Sequence, residues 1–309
     1  MILAFLFITW RLCDWLIAFF ATRVIPYLGF FAYPKDITHF HLPAWLYSFA
    51  NFDGAYYLRI ATHGYSQFEQ AFFPLYPLLL NFLSPVFLHN KLLTGLIISY
   101  VCFFFGLIIF KKYLDIESED IHSERSWEVR SKASTPTRVK NAISSGLWKD
   151  KEQGPSFWTV IFLLTFPTSF FFGAVYTEGL FFLLLVLAFY FLARKHYLAA
   201  AAVSFLAGLT RLNGALLIIP FFITLLDSAR NKKSVAASLF LLFSPLAGVA
   251  AYSFYLYKTT GDFFFWLTVQ PQFGANRSNH LVLLPQVLFR YLKILFTASH
   301  NFQYFISVL

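Results

Sequence analysis

Charge is scarce in this chain: only 13% of its 309 residues are Asp, Glu, Lys or Arg, about half the share of a soluble domain. That scarcity excludes an ordinary water-soluble globule. Cysteine is rarer still, and its two copies, Cys13 and Cys102, both lie in apolar segments. They read as small buried hydrophobes and not as a disulfide or metal pair. The formal charge is +9, but no basic stripe interleaved with aromatics occurs in a soluble stretch, so nucleic acid is not an expected partner. Excess Lys and Arg are ordinary in the cytoplasmic loops of membrane proteins. A cleavable signal peptide is also missing: the first apolar run lacks a basic start and a small-residue cleavage site and is interrupted by Arg11 and Asp14, so it reads as a retained span. No nucleotide-binding glycine loop, no His/Cys/Asp metal cluster and no Ser/His/Asp arrangement stands out. No metal site and no cofactor are therefore assigned.

What is present is apolar: 58% hydrophobic residues, with 42 Phe. The expected fold class is an all-α polytopic membrane protein. Since a span needs about 20 mostly apolar residues, the candidates are 5–28, 92–110, 157–175, 179–193, 197–210, 214–227, 235–257 and 281–298. The stretch 72–88 is apolar too, but Pro74, Pro77 and Pro85 remove backbone donors, so it reads as a re-entrant or membrane-surface segment. The whole chain, 1–309, is expected to form one transmembrane domain with an outer loop at 29–90. The polar stretch 113–156 is too hydrophilic for a core and is expected as a disordered cytoplasmic loop. The last residues, NFQYFISVL, read as the start of another apolar segment, with the C-terminus incomplete.

Three connections are clearly basic: those holding Lys111 and Lys112, Arg194 and Lys195, and Arg230, Lys232 and Lys233. Placing all three in the cytoplasm puts Asp53, Tyr176–Glu178, Arg211–Gly214 and Lys258–His280 together on the opposite face. Four polar clusters, distant in sequence, are thus expected to converge.

Within them, Asp53 precedes Gly54 and is flanked by Phe52, Tyr56 and Tyr57. It is a candidate general base, although Asp-Gly is also a common turn pair. Arg59, His63, Tyr65 and Glu69 have roughly helical spacing, which could place Arg59 and His63 on one substrate-facing side; a helix lying at the membrane interface would show the same residues. Glu178 and Arg211 with Asn213 sit in tight polar gaps between apolar runs, where ionisable residues are costly and point to function or simply mark turns. Outer arginines, Arg211 and Arg277, call for a partner such as Glu178 or a phosphate. Arg11 and Asp14 are expected to pair with each other or snorkel, and Asn276–Ser278 matches the common glycosylation tripeptide.

NFDGAYYLRIATHGY followed by AFFPLYPLLL, then FPTSFFFGAVYTEGLFFLLL, then FLAGLTRLNGALL, resemble in that order the motifs of the PIG-V type of mannosyltransferase, the family that adds the second mannose in glycosylphosphatidylinositol assembly. The resemblance covers roughly 5–225, and 258–277 resembles the outer loop of the prokaryotic members. It implies a GT-C architecture and an inverting transfer of mannose from polyprenyl or dolichyl phosphate mannose, a co-substrate, to a glycolipid or glycan acceptor. Asp53 matches the acid taken as catalytic in that family, with Phe52 where Trp is usual. Arg211 and Arg277 would steady the phosphate, Tyr176, Glu178 and Asn213 would position sugars, and Arg59 and His63 are further substrate-binding candidates. The implied partners are membrane lipid and the two lipid-linked substrates, with room for an accessory membrane subunit. The implied location is the plasma membrane for a prokaryotic member and the endoplasmic reticulum for a eukaryotic one. The competing class, a transporter or flippase of a lipid-linked or small polar substrate, would share the spans, but such proteins carry internal repeats and no second copy of the FDG or YTE segment occurs.

Overall fold

The computed structural model describes residues 2–25, 37–132, 155–230, 235–273 and 283–297. Arg277, Lys232, Lys233 and 133–154 of the polar stretch lie outside them. All regular structure among the described residues is helical, and the chain is an all-α membrane protein.

Helix α1 (Ile2–Val24) is apolar except for Arg11, Asp14 and its end. After a 3-10 turn at Ala44–Ala50 comes α2 (Asp53–His63), with Asp53 in its first turn, where the helix dipole favours a carboxylate. It stops at Gly64, whose φ of 78° turns the chain while its N–H reaches the Ile60 carbonyl at 2.9 Å. Helix α3 (Leu75–Leu83) follows Pro74 and holds Pro77 in its first turn, where backbone N–H groups have no helical partner anyway. Pro85 then turns it into the 3-10 stretch Ser84–Phe87. Its nine residues span about 14 Å, well under a hydrocarbon core of roughly 30 Å.

Helix α4 (Lys91–Lys132) starts where Asn90 Oδ1 accepts the Leu93 N–H at 3.0 Å. It continues into the polar stretch expected as a loop. Where it enters that stretch, pairs one helical turn apart support it: Lys111 Nζ meets Asp115 at 2.9 Å and the Tyr113 hydroxyl donates to Glu117 at 2.8 Å. Ser156, at the start of α5 (Pro155–Thr165), donates to the same Asp115 at 2.7 Å. The expected span 157–175 is broken after α5 around Pro167, and a 3-10 turn takes over at Ser169–Gly173.

Two antiparallel helices, α6 (Glu178–Ala193) and α7 (Tyr197–Thr210), are followed by the 3-10 stretch Leu212–Leu217, α8 (Ile218–Arg230), α9 (Val235–Thr260), the short α10 (Phe265–Thr268) and α11 (Leu284–Thr297). The body is a row in which α4 packs on α6, α6 on α7, α7 on α9 and α9 on α8. On one side of the row α1 packs on α4 and α5, while α2 and α3 pack together and reach α4 and α7. The buried side chains at their junction include Tyr76, Leu58, Leu80 and Leu92.

Eight apolar stretches were expected to span, and each contains helix. Among the described residues three helices, at Ile2–Val24, Lys91–Ser118 and Leu239–Thr260, are long and apolar enough to cross a membrane. Polar turns bound α6 at both ends: at 1.5 Å per residue, its 16 residues reach about 24 Å against a hydrocarbon core of roughly 30 Å.

Candidate functional site

The site is assembled at one end of the helix row. Because α6 begins at Glu178 and the antiparallel α7 ends at Thr210, Glu178 and Arg211 arrive side by side. Arg211 Nη1 forms an ion pair with Glu178 Oε1 and also donates to Thr177 Oγ1 at 3.2 Å. Burial lowers the Arg211 pKa, but the Glu178 charge and hydrogen bond outweigh it, so the guanidinium is held above its ordinary value.

Asp53 is brought to the same place by backbone docking. The Val175 N–H donates to the Phe49 carbonyl at 2.7 Å, tying the turn before α2 to the segment before α6. A Cβ on Gly54 would stand 3.1 Å from the Val175 carbonyl oxygen, tight enough to push that backbone by a few tenths of an ångström. The Tyr176 hydroxyl donates to the Asn51 carbonyl at 2.7 Å and accepts from the Asp53 N–H. It thereby satisfies one of the amide donors that a helix start leaves without an internal partner. Phe52, immediately before, has φ 55° and ψ −118°; such backbone costs about 1–3 kcal/mol in a non-glycine residue and collects at functional sites. Its ring is exposed and forms no wall of the site.

Between these elements lies a cavity of about 370 Å³, lined by Asp53, Tyr57, Phe72, Phe73, Thr210, Arg211, Asn213, Trp266 and Gln270 among others. A carboxylate, a guanidinium and two side-chain amides thus share a chamber with several aromatic rings. Two of the four polar clusters reach the cavity through Asp53, Arg211 and Asn213, the Lys258–His280 stretch supplies Trp266 and Gln270, and Tyr176–Glu178 lies behind them. Tyr57 is buried beneath it, within hydrogen-bond reach of Thr177, and desolvation pushes its phenol pKa well up.

The other expected site residues are elsewhere. Tyr176 braces the Asp53 backbone and does not line the cavity. Glu178 touches it only through Arg211. Arg59 is turned to Glu69, with Nε 3.2 Å from Oε1, and His63 is exposed at the end of α2. Glu69 is not on that helix, because Gly64 ends it; the acid folds back, almost wholly buried, and accepts the Ser66 N–H at 2.9 Å. Arg59 and Glu69 therefore form a clasp across the turn.

Trp266 and Gln270 escaped the sequence reading, although their spacing in WLTVQ, one helical turn apart, was a usable signal. Trp266 Nε1 donates to Ser253 Oγ at 2.9 Å and Gln270 Nε2 to the Trp266 carbonyl at 3.1 Å. With its N–H engaged, the indole has only ring surface to offer a ligand.

Against known proteins, the chain matches no family model, no curated protein and no solved structure. What the chamber does must be argued from its own chemistry.

A second cavity of about 490 Å³ lies one turn further along α2, lined by Ile60, Ala61, Tyr65, Pro74, Pro77, Leu78, Asn81, Leu209, Tyr252 and Tyr255 among others. It is mainly apolar. The two cavities share α2, the 72–78 segment and the end of α7 as walls. Among the described residues, no group of three or more His, Cys, Asp or Glu could hold a metal ion.

Proposed function

We propose that the chain is a multi-pass GT-C-type glycosyltransferase that moves mannose from a polyprenyl or dolichyl phosphate to a glycolipid or glycan acceptor. One observation carries the reading: Asp53, Arg211 and Asn213 line one aromatic-walled cavity, and an apolar groove adjoins it. A sugar ring has polar edges and apolar faces, and carboxylate, amide and aromatic walls suit both. A hydrocarbon-tailed phosphate suits a guanidinium beside an apolar groove. The prolines of AFFPLYPLLL support the groove, because they shorten α3 and leave Pro74, Pro77 and Leu78 on its wall.

In the proposed reaction the acceptor hydroxyl gives its proton to the Asp53 carboxylate while its oxygen bonds to the anomeric carbon. The bond from that carbon to the phosphate oxygen breaks, and the lipid phosphate leaves with the electron pair. Single displacement inverts the anomeric centre, by the geometry that governs inverting glycosidases. Arg211 neutralises the departing phosphate, with Glu178 holding the guanidinium in place. Asn213, Gln270 and Trp266 orient the sugars, and Tyr176 holds the Asp53 turn.

General-base catalysis of this kind supplies about 10²- to 10⁴-fold, so Asp53→Asn should lower transfer by that factor at unchanged protein level. The measurement is incorporation of radiolabelled mannose from polyprenyl phosphate mannose into lipid by membranes containing wild type or variant. Equal transfer by both would remove Asp53 from the chemistry. No transfer by wild type above control membranes, with lipid acceptors added, would overturn the enzyme reading.

A further inference from the structure

Helix α11 is the element that the site does not use. Its described residues, LPQVLFRYLKILFT, occupy the stretch expected as a last span, and these 14 residues reach about 21 Å. The helix starts cleanly: the Leu283 N–H donates to Gln286 Oε1 at 3.1 Å, with Pro285 in the first turn.

Its residues are sorted by face. At 100° per residue, Gln286, Arg290, Lys293 and Thr297 fall within one narrow polar arc. Leu284, Leu288, Tyr291 and Leu292 lie on the opposite side, and Phe289 and Phe296 flank it. Every one of these ten side chains is exposed. The helix contains no acid, so its two basic residues have no carboxylate on the same helix to pair with.

We propose that α11 lies flat in the membrane interface and binds an anionic lipid surface. Its broad apolar face enters the acyl boundary, and Arg290 and Lys293 contact lipid phosphates. Two properties select this occupant over a protein partner. The polar arc is narrow and both of its charges are cationic, and the same chain has helices long and apolar enough to cross a membrane. Such helices bury their apolar side about 5–10 Å into the headgroup and acyl boundary.

The test is thiol labelling in the full-length chain, with Cys13 and Cys102 replaced by Ser and single cysteines introduced along α11. In reconstituted vesicles a membrane-impermeant reagent should label Gln286→Cys, Arg290→Cys, Lys293→Cys and Thr297→Cys, and spare Leu284→Cys, Leu288→Cys, Tyr291→Cys and Leu292→Cys. A contiguous spared block with ends labelled from opposite sides would mean a span, and uniform labelling would mean no membrane contact. Sparing of all eight positions would mean burial in protein. Each of these overturns the proposal.

Lipid charge gives the second readout. Labelling of Leu288→Cys should be slower in vesicles of phosphatidylcholine and phosphatidylglycerol in equal parts than in phosphatidylcholine alone, by about fivefold per basic residue. Adding Arg290→Gln and Lys293→Gln should erase that difference. Equal rates in both vesicles with Arg290 and Lys293 intact would rule out anionic-lipid recognition.

Discussion

Two of the arginine–carboxylate pairs among the described residues are built from the same groups in opposite surroundings. In α1, Arg11 Nη1 lies 3.3 Å from Asp14 Oδ2, and the Arg11 side chain is almost completely buried. Its guanidinium carbon stands 4.2 Å from the Phe49 ring centre, 4.7 Å from Tyr100, 5.5 Å from Trp10 and 5.8 Å from Trp15. Two of its nitrogens, Nε and Nη2, are buried without a hydrogen bond, so ring faces take the place of acceptors. Arg211 and Glu178, by contrast, keep 35% and 27% of their side-chain surface exposed, and Arg211 lines the cavity. A buried ion pair sealed by aromatics joins helices; the same pair left open on one side can receive a ligand.

That contrast predicts which variants fail to fold and which fold but fail to work. The largest effect on stability should come from Arg11→Ala, which strands Asp14 and empties the aromatic cage. Breaking a buried pair in this way costs about 3–5 kcal/mol, read as a lower unfolding midpoint in detergent. Arg11→Ala that kept wild-type stability would show that the cage is not a structural joint.

Arg211→Ala should reverse the pattern. With both partners about a third exposed, its stability loss should stay near 1 kcal/mol. Mannosyl transfer should fall by about 10²-fold, as when one donor to a developing oxyanion is removed. A large stability loss with intact transfer would make the two arginines alike and the distinction void.

A smaller effect is expected for Tyr176→Phe, which removes the hydrogen bond to the Asn51 carbonyl and costs about 1 kcal/mol. Transfer should fall through a lower kcat with KM little changed, since the hydroxyl touches the Asp53 backbone and not the cavity. A rise in KM alone would return Tyr176 to the sugar-binding role.

The smallest effect concerns pH. Burial raises the Tyr57 pKa above the unfolded value of about 10. The unfolded chain therefore gives up the proton first as pH rises. Stability from this group is fully present below about pH 10 and is lost as pH climbs from there toward the folded pKa. Wild type should show that alkaline decline in unfolding midpoint, and Tyr57→Phe should show less of it.

Much of the helix pattern could be read from residues alone. Pro74, Pro77 and Pro85 announced a broken segment at 72–88, and α3 is a short helix that passes into a 3-10 stretch at Pro85. The polar gaps at Tyr176–Glu178 and Arg211–Asn213 marked real helix ends. Composition misled at 113–132, where average polarity argued for disorder while Lys111–Asp115 and Tyr113–Glu117 pairs support a continuing helix. Spacing misled at Arg59 and His63, because Gly64 ends the helix and Glu69, beyond the turn, captures the arginine.

By itself the sequence determined membrane character and most helix positions, with many of the breaks between them, since each depends on side chains within a few turns of one another. The tertiary structure alone decided which polar groups meet. Tyr176 bonds Asn51 across 125 residues and Arg211 pairs with Glu178 across 33. Those partners are chosen by how α6 and α7 pack beside α2, and a pattern of local periodicity carries no record of distance through space. Trp266 shows the same limit: its place on the wall of the Asp53 cavity comes from α10 folding back over that end of the helix row.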